Sequence, residues 1–322
     1  MNVLVIGYGS IGQRHARILT ELGYRAAVVS RRSIEFAPLY SELPKALSEW
    51  KPNFVVLANR TSEHRQTMES LAEYGFQGRV LIEKPLFDHL SAIPHHCFSL
   101  AAVAYNLRFH PLLMELKSLL DNSAHLVSAN IYVGSYLPEW RPNTDYRQSY
   151  SARKDQGGGV LRDLSHELDY ALWLFGPWQR LTASGGHLSS LEINSDDAYT
   201  LLMETSRCPL VSIHLNYLDR VPRREIIVNT DQHTVQVNLI NNTITIDGVQ
   251  KSVTVARDDT YRAEQQAMLS SNTEGLCTLN EAMETLAAIE AAERASVSHI
   301  WIARNDAHLT VRDNALDHTC SP

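Results

Sequence analysis

The chain opens with MNVLVIGYGSIGQRHARIL, an apolar run followed by Gly7, Gly9 and Gly12 and then by an amphipathic stretch. This order predicts a strand, a tight glycine turn and a helix. Gly7 suits the turn, Gly9 lets an anion approach the backbone, and Gly12 lets the helix pack closely on the strand. Because helix N-termini attract phosphate, the segment predicts a dinucleotide site that includes Ser10 and Ile11.

The second predicted strand, RAAVV, ends in Ser30, Arg31 and Arg32. A site that prefers NAD has an acidic residue here, which binds the ribose 2′-hydroxyl. A hydroxyl and two guanidiniums instead suit a 2′-phosphate, because arginine binds phosphate oxygens through charge-assisted hydrogen bonds. NADP is therefore the predicted cofactor, and NAD is the alternative.

Strands and helices alternate through the first hundred residues, which predicts a doubly wound parallel sheet. Ligands bind at the carboxyl ends of the strands in such a sheet. The stretch LIEKPLF ends one of these strands with an acid, a lysine and a proline. At this edge Tyr105 and Arg108 are predicted to face a substrate. The residues predicted to contact the cofactor are Asn59, Thr61, His64, Glu83, Lys84 and Asn106.

After residue 108 the pattern changes to short strands such as AYTLLMET and REIIVNT, joined by tight turns. They predict an open, mostly antiparallel sheet, whose face favours a homodimer or homotetramer. Near the end, TLNEAMETLAAIEAAERA predicts a helix capped by Thr278 and Glu281. The expected fold is α/β plus α+β. A Rossmann domain spans residues 1–108, and an α+β domain for substrate binding and oligomerisation spans residues 109–322.

The stretch GGGVLRDLSHELDYALWLFG predicts a flexible glycine turn and a helix over residues 160–175. Asp163, His166 and Asp169 are spaced by three residues, so on one helix they share a face and can point into one cleft. The alternative is a solvated polar stripe.

Composition excludes several classes of partner. The net charge of −7 and the scattered basic residues argue against nucleic-acid binding. No apolar run approaches the roughly 20 residues of a membrane span, and the first strand follows Met1 without a signal peptide. The spacing of the cysteines suggests free thiols, a cytoplasmic location and no metal site. These cysteines are Cys97, Cys208, Cys277 and Cys320.

Taken together, GYGSIGQRHARIL, EKP, YNLRFHP and GGGVLRDLSHELDY resemble the glucose–fructose oxidoreductase, inositol dehydrogenase and MocA family over essentially the whole chain. The resemblance implies an NAD(P)-dependent oxidoreductase. Such an enzyme transfers a hydride between nicotinamide and a carbinol carbon of a sugar, a sugar derivative or a cyclitol.

The resemblance also assigns roles to single residues. Lys84 matches the active-site lysine and His166 the acid/base histidine, and either is a candidate for the proximal acid/base. Asp163 is the nearest match to the family's helix aspartate, although the family commonly spaces this pair by four residues and here the spacing is three. Glu83 matches the residue near the nicotinamide ribose, and Pro85 matches a position that is often a cis proline.

Residues 136–156, YLPEWRPNTDYRQSYSARKDQ, are the predicted source of substrate specificity. Aromatic rings stack on sugars and guanidiniums bind phosphate or carboxylate. The alternative is a loop that covers the sheet or contacts a partner subunit. The segment resembles those of family members associated with surface-polysaccharide sugars. The predicted substrate residues here are Trp140, Arg141, Tyr146, Arg147, Tyr150 and Arg153, together with Asp163 and His166.

Two other functions are compatible with these motifs. In one, a tightly held cofactor supports transient oxidation that leads to glycoside cleavage or elimination. In the other, the chain is a sensor that binds NADP without catalysis. The presence of both Lys84 and His166 argues against the sensor.

Overall fold

The computed structural model describes residues 1–123 and 125–308, and these divide into two compact units. The first unit comprises Met1–Phe109 together with Arg257–Ala282. The second comprises His110–Ala256 and the described residues from Met283 onward. This division differs from the predicted domains 1–108 and 109–322, because a late segment of the chain packs with the first unit.

Strands and helices alternate at the start of the chain, as the hydrophobic pattern predicted. The elements in order are β1 (Asn2–Ile6), α1 (Ser10–Glu21), β2 (Arg25–Val29), β3 (Leu39–Tyr40), α2 (Leu43–Trp50), β4 (Phe54–Leu57), α3 (His64–Glu73), β5 (Arg79–Ile82) and β6 (Leu100–Val103).

The middle of the chain is rich in strands. It contains α4 (Pro111–Asp121), β7 (Leu126–Gly134), α5 (Val160–Asp163), α6 (His166–Phe175), β8 (Trp178–Gly186), β9 (Ala198–Thr205), β10 (Val211–Asn216), β11 (Arg223–Thr230), β12 (Thr234–Asn238), β13 (Thr243–Ile246) and β14 (Val249–Ser252). The described chain then continues through α7 (Asp259–Leu269), β15 (Cys277–Thr278), α8 (Leu279–Ser298), β16 (Ile302–Ala303) and α9 (Arg304–His308).

The first unit is built on a sheet with the strand order β15-β6-β5-β4-β1-β2-β3. All pairs are parallel except β15 with β6. Every residue of β4 is buried, as in a strand covered on both faces. The predicted Rossmann-type, doubly wound sheet is therefore confirmed, with the carboxyl ends of β1, β2, β4 and β5 at one edge.

The second unit is built on a sheet with the order β14-β13-β12-β11-β7-β10-β9-β8-β16. Its strands are antiparallel except for β7 with β10. Buried and more exposed residues alternate along β9 and β10, which is typical of a sheet with one covered face. The mostly antiparallel sheet is confirmed, whereas the homodimer or homotetramer stays a prediction.

The predicted single helix over residues 160–175 is wrong. The chain forms α5, leaves helical geometry at Leu164 (ψ 31°) and resumes as α6 at His166. The start of α5 is held from outside, because Asp196 accepts hydrogen bonds from the amides of Val160 (3.0 Å) and Leu161 (3.1 Å). Asp163 and His166 therefore lie on two separate helices, since tertiary contacts override the helical periodicity.

Residues 257–282 are tied into the first unit by polar contacts. The Arg79 guanidinium donates to the carbonyl oxygens of Met268 (2.6 Å) and Ser270 (2.9 Å) at the end of α7. Arg108 is 2% exposed and pairs with Glu281 at 3.0 Å. The predicted capping box is also present, since the Thr278 amide donates to Glu281 at 2.9 Å and the Glu281 amide donates to Thr278 Oγ1 at 3.2 Å.

Cys208 and Cys277 are buried free thiols, as expected. Cys97 is disulfide-bonded, which overturns the expectation for that residue. Cys320 lies outside the described residues. Within residues 1–123 and 125–308, no helix has both the length and the apolar character to cross a membrane.

Glu281 generates a stability prediction. Burial opposes its ionisation, but the Arg108 charge and the hydrogen bonds from Thr278 outweigh burial and lower its pKa below 4.5. The E281Q variant can keep the acceptor for the Thr278 cap, and it loses the charge together with the second oxygen, which accepts from Arg108. We expect it to lower the free energy of unfolding by about 1–2 kcal/mol at neutral pH. The loss is smaller than for a fully buried pair, because the carboxylate is partly exposed. E281A should cost about 1 kcal/mol more through loss of the cap. Urea unfolding of both variants measures these differences.

The pH dependence of stability separates the effect of the Glu281 charge from the effect of its cap on the helix. A depressed pKa stabilises the folded state above the ordinary value of 4.5, and that stabilisation disappears as the pH falls through the lower, folded-state value. The gap between wild type and E281Q should therefore close in acid, whereas the gap between E281Q and E281A should persist. A wild-type advantage that is unchanged in acid would show that Arg108 is not stabilised by this charge.

Candidate active site

The glycine turn after β1 has the tight packing expected for a nucleotide site. Gly7 has φ of +96°, and a Cβ atom there would lie 2.5 Å from the carbonyl oxygen of Ala58. A Cβ atom at Gly12 would lie 2.2 Å from the carbonyl oxygen of Gly7. At Gly9, in contrast, an added Cβ would meet no atom of the described residues within 4 Å. Gly7 and Gly12 close the turn, and Gly9 leaves one side open to a ligand.

Helix α1 begins beside this open side, with Ser10 exposed and Ile11 partly buried. Among residues 1–123 and 125–308, no side chain caps its N-terminus, and its first turn contains no acidic residue. The first amides of a helix have no carbonyl partner within the helix, and the helix dipole favours an anion there. The turn and the helix start together fit a pyrophosphate group.

The three residues after β2 have different surroundings. The Arg32 guanidinium donates to the carbonyl oxygen of Tyr8 at 2.8 Å, and the Arg32 amide donates to Ser30 Oγ at 3.1 Å. Arg32 therefore ties this loop to the glycine turn. Arg31 is exposed and forms no salt bridge within the described chain. Of the two arginines, Arg31 is therefore the one whose guanidinium is better suited to bind a ligand.

Two of the predicted cofactor residues after β4 hold neighbouring loops. Asn59 donates to Thr67 Oγ1 at 2.9 Å. His64 is fully buried with Nδ1 3.0 Å from the carbonyl oxygen of Leu86, and burial lowers its pKa. His64 thus joins the start of α3 to the loop after β5. Thr61 is partly exposed at the start of the short 3-10 turn Thr61–Glu63.

Glu83 and Lys84 directly follow β5, where the chain leaves the sheet. The Glu83 amide donates to the carbonyl oxygen of Leu57 at 2.9 Å, which continues the sheet by one residue. Glu83 Oε2 accepts from the Lys84 amide at 3.2 Å, and Oε1 lies 2.7 Å from Nε2 of the buried His15. Lys84 is partly exposed. The peptide bond between Lys84 and Pro85 is cis, as the resemblance implied.

Sequence reasoning missed His15. Its signal was a polar residue on the buried face of α1, among Gly12, Ala16 and Ile18. A buried polar side chain requires a hydrogen-bond partner, but its spacing does not indicate which residue that partner is.

The three residues predicted after β6 are buried. Tyr105 is 1% exposed, and Asn106 donates to Thr260 Oγ1 at 2.6 Å. Arg108 pairs with Glu281. Asn106 and Arg108 therefore hold residues 257–282 within the first unit.

In the second unit, Asp163 accepts hydrogen bonds from two tyrosines. Tyr217 donates to Asp163 Oδ2 at 2.7 Å, and the Tyr150 hydroxyl also bonds to this carboxylate. The Asp163 charge, together with burial, raises the pKa of Tyr150. Burial and the same charge raise the pKa of Tyr217. Both phenols therefore stay protonated and donate to Asp163, while His166 begins the next helix and is partly exposed.

The triple glycine explains how Tyr150 reaches Asp163. A Cβ atom at Gly158 would lie 2.0 Å from the carbonyl oxygen of Tyr150. Gly159 has φ of +123°, and a Cβ there would lie 2.2 Å from Asp196 Oδ1. Other parts of the chain therefore approach this helix start closely, because these two glycines carry no side chain.

Two of the predicted specificity residues, Trp140 and Arg141, lie beside these tyrosines. Trp140 meets the Tyr217 ring edge-on at 5.1 Å and donates to Ser135 Oγ at 2.8 Å. The Arg141 guanidinium lies 5.5 Å from the centre of the Tyr150 ring. The Tyr146 hydroxyl accepts from the amide of Glu192 at 3.2 Å. Arg153 is exposed.

Comparisons with known proteins agree with this architecture. Residues 1–103 match the model described as an oxidoreductase family with an NAD-binding Rossmann fold. Residues 124–236 match the GFO/IDH/MocA C-terminal domain. Among curated protein sequences, none matches the chain.

Several solved structures share the fold at low sequence identity. GenD2 from gentamicin A biosynthesis, in complex with NAD, is 20% identical, with coverage of 94% of this chain and 96% of that one and a TM-score of 0.77. The WlbA dehydrogenase from Bordetella pertussis, in complex with NADH and UDP-GlcNAcA, is 18% identical, with coverage of 94% and 97% and a TM-score of 0.76. A levoglucosan dehydrogenase in complex with NADH and L-sorbose is 13% identical, with coverage of 95% and 99% and a TM-score of 0.80.

The two family models together span most of the chain, and the first unit has the packed glycine turn and parallel sheet that an NAD-binding domain needs. The chain therefore belongs to the GFO/IDH/MocA family of oxidoreductases, with an NAD-binding Rossmann domain in its first unit.

Proposed function

We propose that the chain is an NADP-dependent dehydrogenase or reductase that acts on a carbinol carbon of a sugar, a sugar derivative or a cyclitol. The observation that carries this proposal is the position of Glu83 and Lys84. They follow β5 at the edge of the sheet where the glycine turn leaves β1. When bound, NADP supplies the hydride acceptor or donor at its nicotinamide ring.

Residues along this edge would hold the cofactor. The glycine turn, with Ser10 and Ile11, suits the pyrophosphate. Arg31 suits the 2′-phosphate, because its guanidinium is exposed and no acidic residue stands at the end of β2. Glu83 suits the hydroxyls of the nicotinamide ribose, with Asn59 and Thr61 at the same edge.

The chemistry is assigned to Lys84 and His166. The Lys84 ammonium stabilises negative charge that develops on the oxygen of the reacting carbon. The His166 imidazole takes the hydroxyl proton during oxidation and returns it during reduction. Asp163 is already bonded to two phenols, so we assign it the task of holding Tyr150 in the substrate site.

An acidic or nucleotide-activated sugar is the substrate class that the second unit supports best. Trp140 and Tyr150 present aromatic surface, and the guanidiniums of Arg141 and Arg153 are exposed and form no salt bridge within the described residues. Aromatic rings stack on sugar faces, and arginine binds carboxylate and phosphate. The UDP-GlcNAcA bound by the WlbA dehydrogenase is a ligand of this class.

Two outcomes would redirect the proposal. Cofactor that co-purifies and cycles without net turnover would favour transient oxidation with cleavage or elimination. Tight NADP binding without turnover of neutral sugars, sugar acids or nucleotide sugars would favour a sensor.

Arg31 tests the choice of cofactor. We expect R31D to weaken NADPH binding by about tenfold to a hundredfold, because one charge-assisted interaction with the 2′-phosphate is lost. NADH binding should stay equal or improve. Titration with each cofactor, followed by fluorescence of the five tryptophans, measures both affinities.

The matched control for Arg31 is R32A. Arg32 is bonded to the glycine turn, so its loss should weaken NADH and NADPH alike. A wild-type chain that prefers NADH would contradict the NADP assignment and leave the dehydrogenase in place.

Lys84 and His166 test the chemistry. We expect K84M and H166N each to lower kcat by about 10²-fold to 10⁴-fold, because general acid–base and electrostatic contributions are of this size. Both variants should retain most of the NADPH affinity. The substrate is first identified by screening neutral sugars, sugar acids and nucleotide sugars with the wild-type chain. The kcat of each variant is then measured from the absorbance of NADPH at a saturating concentration of that substrate. Full turnover by either variant would refute the role of that residue.

Arg141 tests the substrate class. R141M should raise the KM of an acidic sugar by about tenfold or more, since a hydrogen bond to a charged group is lost. The KM of a neutral analogue should stay unchanged. R141K retains the charge without the planar fork and should fall between wild type and R141M. Equal effects on acidic and neutral sugars would rule out recognition of an anion by Arg141.

A further inference from the structure

A buried histidine connects the Glu83 carboxylate to a residue from the far end of the sequence. His15 is on α1, is 0% exposed and has its Nε2 atom 2.7 Å from Glu83 Oε1. Its Nδ1 atom lies 2.6 Å from the amide nitrogen of Gln265, which is 250 residues later in the chain and also 0% exposed. Both ring nitrogens are therefore used, and neither contacts solvent.

The hydrogen bonds of His15 have a defined direction. The Glu83 carboxylate can only accept, so the ring proton is on Nε2 and His15 Nδ1 accepts from the Gln265 amide nitrogen. Nε2 then donates to Glu83 Oε1. The other carboxylate oxygen, Oε2, accepts from the Lys84 amide at 3.2 Å. The Glu83 carboxylate is thus held at both oxygens, by the Lys84 amide and by His15.

Helix α7, which carries Gln265, is anchored at both ends. At its start, Thr260 accepts from Asn106 at 2.6 Å, and Asp258 bonds to Arg17 at 2.5 Å. At its end, Arg79 binds the carbonyl oxygens of Met268 and Ser270. Gln265 therefore has a fixed position, and it limits where the His15 ring can lie.

Tyr261 on the same helix covers the His15 ring. The two ring centres are 5.9 Å apart in an edge-on arrangement. Burial and then the Glu83 charge raise the pKa of Tyr261 to about 12, so its hydroxyl is neutral beside the carboxylate. The Arg14 guanidinium lies over the Tyr261 ring, 4.9 Å from its centre. Water is kept from the bond between His15 and Glu83.

We propose that His15 is a positioning residue, which with Gln265 sets the orientation of the Glu83 carboxylate and thereby the affinity for the nicotinamide cofactor. The inference rests on the proposed function, in which Glu83 contacts that cofactor. Residues 257–282, which follow the second sheet in the sequence, thus complete the cofactor site of the first unit. A core histidine that only fills space would support the fold without this specific effect on binding.

Two substitutions at His15 separate these roles. The amide nitrogen of glutamine comes close to the position of histidine Nε2, so H15Q can still donate to Glu83. The amide of asparagine reaches only the position of Nδ1, so H15N can contact Gln265 but not Glu83. Both variants place an uncharged amide in the same buried space, and their melting temperatures show how far each one disturbs the fold.

The test measures the Kd of NADPH by tryptophan fluorescence for wild type, H15Q, H15N and Q265L, with KM and kcat for turnover. We expect H15N to raise Kd by about tenfold or more and H15Q to retain most of the affinity, since one hydrogen bond to a charged group distinguishes them. Q265L should fall between them. In an E83A background, H15N should have no further effect on Kd.

Each outcome has a separate meaning. Equal Kd values for H15N and H15Q, or a Kd increase by H15N that persists in E83A, would overturn the positioning role. Kd values that follow the melting temperatures of all variants would overturn it as well. A wild-type chain that binds neither NADPH nor NADH would instead refute the proposed function, whatever the His15 variants do.

Discussion

The backbone contact between Gly12 and Gly7 sets the position of α1 against the parallel sheet, and the chemistry of the first unit depends on it. A single added methyl at Gly12 would lie 2.2 Å from the Gly7 carbonyl oxygen. Because the helix is this close, its uncapped N-terminus meets the edge of the sheet where a nucleotide binds. The same closeness brings His15, one turn into the helix, to the Glu83 carboxylate at the end of β5.

The second unit uses glycine in the same way. Gly158 and Gly159 lack the side chains that would strike the Tyr150 carbonyl and the Asp196 carboxylate. The segment that carries Tyr150 therefore packs on the start of α5, and the Tyr150 hydroxyl reaches Asp163. In both units the absence of a Cβ atom brings polar groups into contact that bulkier residues would keep apart.

Several polar residues at the edge of the parallel sheet are structural ties. Arg32 bonds to the glycine turn, and His64 bonds to the loop after β5. Asn106 and Arg108 bond to residues 257–282. A polar residue after a buried strand is a candidate ligand by position alone. The distinction between a ligand and a tie depends on whether another part of the chain satisfies its hydrogen bonds, and that partner is distant in sequence.

The sequence by itself determined the features that depend on local sterics and periodicity. These are the glycine turn, the alternation of strands and helices, the position of Glu83 and Lys84 at the end of a strand, and the capping box of α8. Tertiary structure alone decided that residues 257–282 pack with the first unit and that the helix after the triple glycine breaks at Leu164. It also decided that His15 bonds to Glu83 and Gln265. Contacts of this kind join residues separated by as many as 250 positions. No local pattern encodes such a pairing, because each partner is specified only by where the folded chain brings it.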